Sequence, residues 1–429
     1  MFAAGPPSLL IRRARIATMT GAQTSLGDEP LGMIENGAIA VRGQTLQFVG
    51  ADAELQTRLQ ALGPLAAQIP SLDAEGKLVS PGLIDCHTHL LFAGDRGHEH
   101  ALRLRGATYL EIAQAGGGIR STVRSMRQAK DAQLLSAARE RVARLARSGV
   151  TTLECKSGYG LSVAQELRAL RLLRTLGETS ACEIVPTLLG LHAAPPDLDR
   201  GLWVKAVVQE LIPEVAREQL AHGCDAFLEQ GAFDATECRA ALNAGAKAGL
   251  VGRLHADQLT PGMGAELAAA LGCASADHLE HTTPEGAAAM ARAGTTAVLL
   301  PLAAWFLRDA HAAQARLFLH QGCTVALASN LNPGSQRIES VSMLLAAGCL
   351  LSGLTPAQAL WALTRGGAAA LRKADRGQLA PDLRADLVLW DAQSADHLPY
   401  HAGVEHARVV IRAGMIVSDL RDQPALQCS

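Results

Sequence analysis

The middle of the chain alternates eight short apolar segments with stretches rich in alanine, leucine, arginine and glutamate. The apolar segments read, in order, GLIDCHTH, VTTLECK, CEIVPTLLGLH, CDAFLEQ, VGRLHAD, SADHLEH, TTAVLLP and TVALASN. Apolar strands that alternate with helices are typical of a parallel sheet covered by helices. Eight such units predict an α/β fold with a closed (β/α)8 TIM-type barrel. An open doubly wound sheet is the alternative, although no G-x-G-x-x-G opens the first turn, which weakens a nucleotide-binding version.

The two ends of the chain differ from the middle. Residues 8–79 contain the strand-like pieces LLIRRARIATM, GAIAVRGQTLQFVG and AEGKLVS, and the tail contains ADLVLWD and ARVVIRAGMIVSD. Turns rich in glycine, aspartate and asparagine separate them. Because each end holds too few strands for a sheet of its own, we expect both to build one small β-sandwich domain. The predicted division is 1–79 and 379–429 for this domain and 80–378 for the barrel.

Composition restricts the class of partner. A net charge of −2 gives no electrostatic case for nucleic acid or an anionic membrane, and 3% aromatic residues argue against base stacking. No apolar run is long enough to span a bilayer, and the N-terminus lacks the order of a secretory signal. Nine cysteines without a C-x-x-C pair suggest reduced thiols and a cytoplasmic location. A small polar substrate is the expected partner.

Histidines occur where the predicted strands end, which is where barrel enzymes carry their chemistry. His87 and His89 close the first strand as His-x-His, so both side chains should project to the same side. His255 ends the fifth strand. Three neutral imidazoles with one position left for water suit Zn²⁺ or Fe²⁺. The alternative is two unrelated surface histidines and one hydrogen-bonded core histidine.

Other polar residues at the same strand ends could bind substrate or move protons. His278 in the sixth strand is a candidate for proton transfer, or a prop that orients a ligand. Arg96 could clamp a carboxylate, or could pair with Asp95 or Glu99. Tyr159 lies between two glycines that would let a ligand approach the backbone, or that form a simple turn. The SNLNPGS segment offers neutral hydrogen-bonding groups, or forms a capped loop.

These segments together resemble the imidazolonepropionase family of the amidohydrolase superfamily. The resemblance rests on PGLIDCHTHLLFAGDR, GGGIRST, ECKSGYGL, LLGLHAAPP, LHADQ, SADHLEH, AVLLP, NPGS, ADLVLWD and LPYHAGVEH, which cover nearly the whole chain in order. The His-x-His motif indicates only the superfamily. KSGYGL, SADHL and NPGS are much more specific to the family.

The resemblance implies the ring-opening hydrolysis of 4-imidazolone-5-propanoate, a small anionic cyclic amide, to N-formimidoyl-L-glutamate in histidine degradation. It implies one Zn²⁺ or Fe³⁺ per subunit, and it leaves a homodimer open. The implied metal ligands are His87, His89, His255 and Asn330. The implied substrate-binding residues are Arg96, Tyr159, His192, Gln258, Asn332, Gly334 and Ser335.

Two positions depart from the family pattern. Asn330 replaces an aspartate that normally supplies an anionic ligand and a proton acceptor, and an amide cannot act as a base near neutral pH. Gln258 stands where some members have glutamate. His278 is then the strongest remaining base, with Gln258 and Asn330 completing the predicted catalytic set. The alternatives are a catalytically impaired metal- or ligand-binding barrel, and an amidohydrolase that acts on another cyclic amide.

Overall fold

In the computed structural model the described residues are 5–24, 29–107, 111 and 115–421. Residues 1–4, 25–28 and 422–429 of the predicted end domain lie outside them. The strands are β1 (Leu9–Ala17), β2 (Met33–Arg42), β3 (Thr45–Ala51), β4 (Ser71–Asp73), β5 (Leu78–Pro81), β6 (Leu83–Asp85), β7 (Val150–Lys156), β8 (Glu183–Leu191), β9 (Gly223–Leu228), β10 (Val251–Ala256), β11 (Ser275–His278), β12 (Thr296–Leu299), β13 (Val325–Leu327), β14 (Leu387–Trp390), β15 (Ala407–Arg412) and β16 (Met415–Asp419).

Helices cover most of the connections between these strands. The α-helices are Asp52–Gln60, Gly97–Leu104, Ile119–Gln128, Asp131–Arg147, Val163–Thr179, Arg200–Ala206, Ile212–Arg217, Ala235–Lys247, Gly264–Ala270, Pro284–Ala293, Pro301–Leu307, Ala315–His320, Val341–Leu350, Pro356–Trp361, Gly367–Ala370 and His397–Tyr400. No helix among the described residues combines the length and the apolar character needed to cross a membrane.

Strands β6 to β13 form the predicted parallel barrel. Neighbours along the chain are neighbours in the sheet, in the order β13-β12-β11-β10-β9-β8-β7-β6. The last strand returns to the first just beyond their ends, where Thr88 and Leu331 form a parallel bridge and the Asn330 N–H donates to the His87 carbonyl at 3.0 Å. Each predicted apolar segment contains one barrel strand, so the barrel prediction is confirmed.

The strands of the two chain ends form one mixed sheet, as expected. Its order is β16-β15-β14-β5-β1-β2-β3, with β4 beside β1. The join between the ends is the antiparallel pair of β14 and β5, in which Val388 lies opposite Ser80. The helix Asp52–Gln60 covers one face through Leu55 and Leu59, which belong to an apolar cluster with Phe48. The division of the chain at 79/80 and 378/379 stays a prediction.

The barrel strands are apolar because both of their faces are covered. All seven residues of β7 are buried, which explains why the segment lacks the alternation of a half-exposed strand. The exceptions within β7 are Glu154 and Lys156, two residues apart and therefore on the same side. Cys86 packs in an apolar cluster with Ile84 and Val298. The described cysteines are all free.

Candidate active site

Histidines from three parts of the barrel converge just beyond the strand ends. Nε2 of His89 lies 3.3 Å from Nε2 of His87 and 3.4 Å from Nε2 of His255. A nitrogen atom of His278 joins those of His87 and His255 within a group that spans 4.8 Å. All four side chains are buried. The structure therefore brings the predicted ligand histidines together with the predicted base.

The two nitrogen separations from His89 match those of ligands to a tetrahedral metal. Two nitrogen ligands at about 2.1 Å from a tetrahedral ion lie about 3.4 Å from each other. The two measured separations, 3.3 and 3.4 Å, fit that value. Burial, together with neighbouring positive charge, lowers the pKa of His87 and His89 well below the usual range. Both rings are therefore neutral at physiological pH, the form in which histidine binds a metal.

Two buried carboxylates stand behind the histidines. The Nδ1–H of His87 donates to Oδ2 of Asp277 at 2.6 Å, which leaves the Nε2 lone pair free for a ligand. Nδ1 of His255 lies 3.1 Å from Oδ2 of Asp225, close enough for attraction although the angle is poor for a hydrogen bond. A carboxylate behind a histidine sets the tautomer and makes the ring a better donor to a metal.

Lys156 lies behind these two carboxylates and contacts both of them. Its Nζ is 2.8 Å from Glu154, 2.9 Å from Asp225 and 3.7 Å from Asp277. Burial would lower the pKa of the ammonium, but the three carboxylates outweigh that effect and raise it. Lys156 is fully buried, so its side chain is part of the barrel interior and does not face a substrate.

His278 reaches the site because the backbone turns at the end of β11. In a regular strand, adjacent residues point to opposite faces, so Asp277 and His278 should not both face the barrel interior. His278 has φ +85° and Leu279 has φ +71°, in the region that non-glycine residues rarely adopt. Such strain concentrates at functional sites. It ends the alternation and lets two consecutive residues serve one site.

The segment after β13 is shaped by its own side chains. The amide of Asn332 donates to the carbonyl of Asn330 at 2.7 Å and to Ser335 Oγ at 2.8 Å. Its oxygen accepts from the N–H groups of Gly334 and Ser335, both at 2.8 Å. Asn332 therefore organises the loop, as the capped-loop alternative anticipated. Asn330 is buried with φ +55°, and its side-chain oxygen lies 3.2 Å from the Asn332 amide nitrogen.

The predicted substrate-binding groups lie on one side of the histidines. The ring of His192 stacks on that of His89 with centroids 5.1 Å apart, and the ring of Tyr159 lies 5.2 Å from His192. The Nδ1–H of His192 donates to the Gly158 carbonyl at 2.9 Å, so its Nε2 is an acceptor. Burial lowers the pKa of His192 to about 4 and raises that of Tyr159, so both are neutral.

Arg96 forms the ion pair that the sequence left open as one alternative. Its guanidinium pairs with Glu99 at 2.9 Å, and it also packs directly over Gly334, where a Cβ atom would collide with it. Its charge acts on Tyr159. The structure thus brings Arg96, Tyr159 and Gly334 together at the same mouth of the barrel.

Gln258 and Glu229 differ in their surroundings. Gln258 is half-buried just after β10 and makes no hydrogen bond within the described part of the chain. Glu229 accepts from the Leu259 N–H at 2.8 Å and from the Thr260 hydroxyl, so it holds the loop that follows β10. The functional assignments of the site residues, the ligand set included, stay predictions.

Sequence reasoning missed the charged layer formed by Lys156, Glu154, Asp225 and Asp277. The available signal was the presence of ionisable residues inside otherwise apolar strands: CDAFL and SADH each contain one aspartate, and LECK contains a glutamate and a lysine. Isolated buried charges are costly, so charges at such positions indicate mutual pairing. Which strand supplies the partner depends on the register of the barrel.

Two cavities lie at the opposite end of the barrel. One, of about 370 Å³, is lined by residues at the start of β8, including Glu183 and Val185. The other, of about 440 Å³, is lined by Val251 and Gly252 at the start of β10. Barrel enzymes place their chemistry at the carboxyl ends of the strands, and the convergent histidines lie there. The two cavities therefore lie away from the convergent histidines.

Comparison with known proteins shows the family. No protein-family model matches the chain. The imidazolonepropionase of Anaeromyxobacter dehalogenans strain 2CP-1 is 47% identical over 425 residues, covering 98% of each chain. That of Myxococcus xanthus is 46% identical over 95% of this chain and 96% of its own, and that of Geobacillus kaustophilus is 42% identical over 95% and 97%.

Solved structures with low identity share the fold. A 5-methylcytosine deaminase from Klebsiella pneumoniae superposes with a TM-score of 0.71 at 15% identity, covering 96% of this chain and 97% of that one. The atrazine chlorohydrolase of Arthrobacter aurescens TC1, solved in complex with zinc, gives 0.70 at 17% identity, with coverage of 96% and 95%. The solved structures share the fold, and the close sequence relatives show that the chain belongs to the imidazolonepropionase family.

Proposed function

We propose that the protein hydrolyses 4-imidazolone-5-propanoate to N-formimidoyl-L-glutamate in histidine degradation, in the cytoplasm. The observation that carries the proposal is the convergence of three buried histidines, in which Nε2 of His89 lies 3.3 Å from Nε2 of His87 and 3.4 Å from Nε2 of His255, in a chain 47% identical to a curated imidazolonepropionase. In the overall reaction water adds to the ring carbonyl carbon, the ring C–N bond breaks, and the departing nitrogen takes a proton.

The proposed metal, one zinc or iron ion, is bound by His87, His89 and His255, with the amide oxygen of Asn330 as a neutral fourth ligand. When bound, the ion polarises the carbonyl and activates water near neutral pH. The chain prepares this site by keeping the rings of His87 and His89 neutral through burial, which lowers their pKa, and by fixing the tautomer of His87 through Asp277. Such fixed, dry donors require little rearrangement on binding.

His278 is the proposed proton-transfer residue. It is buried among the ligand histidines, and its Nδ1 has no hydrogen-bond partner among the described residues. Asn330 cannot take a proton in place of the usual aspartate. His278 therefore accepts the proton from water and returns it to the ring nitrogen as the C–N bond breaks. Gln258 assists by hydrogen bonding and carries no charge.

The substrate's propionate is proposed to lie against Arg96 and Tyr159. A guanidinium binds a carboxylate with two parallel hydrogen bonds, and the Tyr159 hydroxyl stays protonated because burial raises its pKa. The Nε2 acceptor of His192 faces the ring N–H. The loop residues Asn332, Gly334 and Ser335 close this side of the pocket.

The test is a direct assay with simultaneous metal analysis. Purified protein is mixed with imidazolonepropanoate, the loss of ring absorbance is followed, and bound zinc and iron are measured on the same sample. We expect turnover with about one ion per chain. Metal without turnover would favour the impaired-barrel alternative, and turnover restricted to a different cyclic amide would favour another amidohydrolase activity.

A further inference from the structure

A single buried ammonium contacts the two carboxylate atoms that back the proposed metal ligands. Oδ2 of Asp225 lies 2.9 Å from Nζ of Lys156 and 3.1 Å from Nδ1 of His255. Oδ2 of Asp277 lies 3.7 Å from the same Nζ and 2.6 Å from Nδ1 of His87. In each aspartate, Oδ2 is therefore the atom that contacts both Lys156 and a histidine, although Asp225 and Asp277 lie on different strands.

The four charged groups of this layer are completely enclosed. The side chains of Lys156, Glu154, Asp225 and Asp277 have no exposed surface. Carboxylates that share a dry interior repel one another and are pushed toward protonation unless a cation lies between them. The layer carries three carboxylates and one ammonium, so its net charge is −2. These four groups therefore place net negative charge behind proposed ligands that are all neutral.

We propose that Lys156 is a positioning residue for the metal centre, holding Asp225 and Asp277 against His255 and His87 so that their ring nitrogens stay aimed at one point. This inference rests on the proposed function, because it requires a metal at the histidines. It extends that function by assigning to the buried layer the counter charge that Asn330 lacks.

A purely electrostatic role for Lys156 predicts the opposite sign. If the ammonium acted only as a positive charge, removing it would strengthen cation binding, since like charges repel. If it positions the carboxylates, removing it lets them move away from the histidines, and binding weakens. Substitution of a group that orients a metal ligand typically lowers metal affinity by about 10–100-fold.

The test separates position from charge by a double substitution. Lys156→Met with Glu154→Gln removes one positive and one negative charge, so the layer keeps its net −2 but loses the ammonium that joins the aspartates. Glu154→Gln alone is the matched control, because it changes the net charge to −1 and retains Lys156. Zn²⁺ affinity of each apoprotein is measured by competition with a chromophoric chelator, and thermal melting of the apoproteins reports folding.

We expect the double variant to bind Zn²⁺ about 10–100-fold more weakly than the parent. The Zn²⁺ affinity of the control should stay within about tenfold of the parent's and should be higher than that of the double variant. Parent-like affinity in a folded double variant would overturn the proposal. If the double variant does not fold, Asp225→Asn takes its place, with a loss of about tenfold expected and unchanged affinity overturning the proposal. A parent that binds no Zn²⁺ would overturn the proposed function and this inference together, which distinguishes the two failures.

Discussion

At the scale of single residues, Asn330 gives the predicted ligand set a neutral side chain where the family resemblance implies an aspartate. The backbone at Asn330 is fixed by its hydrogen bond to His87, and its side chain lies within reach of the Asn332 amide. An asparagine there preserves the shape of the loop and removes one negative charge. In the proposed mechanism the base is then His278, which is buried beside His87 and His255.

Asn330→Asp should raise both metal occupancy and rate. The substitution restores an anionic ligand and a second proton acceptor at almost unchanged volume, so we expect Zn²⁺ affinity to rise by about tenfold or more. Occupancy is measured by metal analysis and rate by loss of substrate absorbance. Asn243→Asp, on an exposed helix position, is the control. No change in occupancy or rate would mean that residue 330 is outside the site.

Gly334→Ala should weaken substrate binding without removing the metal. A Cβ atom at this position would collide with the guanidinium of Arg96, which must then leave its place beside Tyr159. We expect KM to rise by roughly tenfold, the size of one misplaced polar contact of about 1.4 kcal/mol, with unchanged metal content. Gly177→Ala is the control, because the added atom meets its neighbours at ordinary contact distance. An unchanged KM would remove Arg96 from the substrate pocket.

At the scale of elements, the loop after β7 depends on one helix residue. Glu166, in the helix Val163–Thr179, accepts from the N–H of Gly158 and Gly160 at 2.7 Å and of Leu161 at 2.8 Å. The carboxylate is fully buried, and burial raises its pKa despite these bonds. The loop that carries Tyr159 is thus held by a helix that has no contact with the proposed metal.

Glu166→Ala should destabilise the protein and loosen this loop. Three backbone donors lose their acceptor in a buried setting, and each unsatisfied group costs about 1–3 kcal/mol. Since water can enter the space left by the side chain, we expect a loss of about 3 kcal/mol in the free energy of unfolding, measured in urea. Glu178→Ala, exposed on the same helix, should change it by less than about 0.5 kcal/mol. Equal effects of the two substitutions would contradict this account.

At the scale of the whole molecule, the two chain ends and the barrel are joined by a shared core. Trp390 on β14 is buried and belongs to the main apolar cluster of the barrel, and its indole N–H donates to Ser80 Oγ at 2.8 Å. Gly149, which precedes β7, has no room for a side chain because Trp390 lies against it. The end sheet therefore stabilises the barrel whose carboxyl ends carry the site.

Trp390→Ala should be among the most destabilising single changes in this junction. Removing a buried indole creates a cavity and typically costs about 3–5 kcal/mol, to which the lost hydrogen bond adds. Urea unfolding followed by circular dichroism measures the difference. Trp305→Ala is the matched control, because Trp305 has a relative exposure of 50%. A loss below about 1 kcal/mol for Trp390→Ala would mean that the two parts are coupled elsewhere.

The eight strands and the strand ends at which His87, His89 and His255 lie could be predicted from local periodicity and from the parallel direction of the strands. The family resemblance also indicated that Asn330 stands in place of an aspartate. Three features became visible only in the folded chain. Lys156 contacts both Asp225 and Asp277, and a left-handed backbone turns the side chain of His278 inward. The side chain of Asn332 makes its hydrogen bonds within its own loop. These facts depend on barrel register and on packing between residues far apart in the chain, which no local pattern specifies.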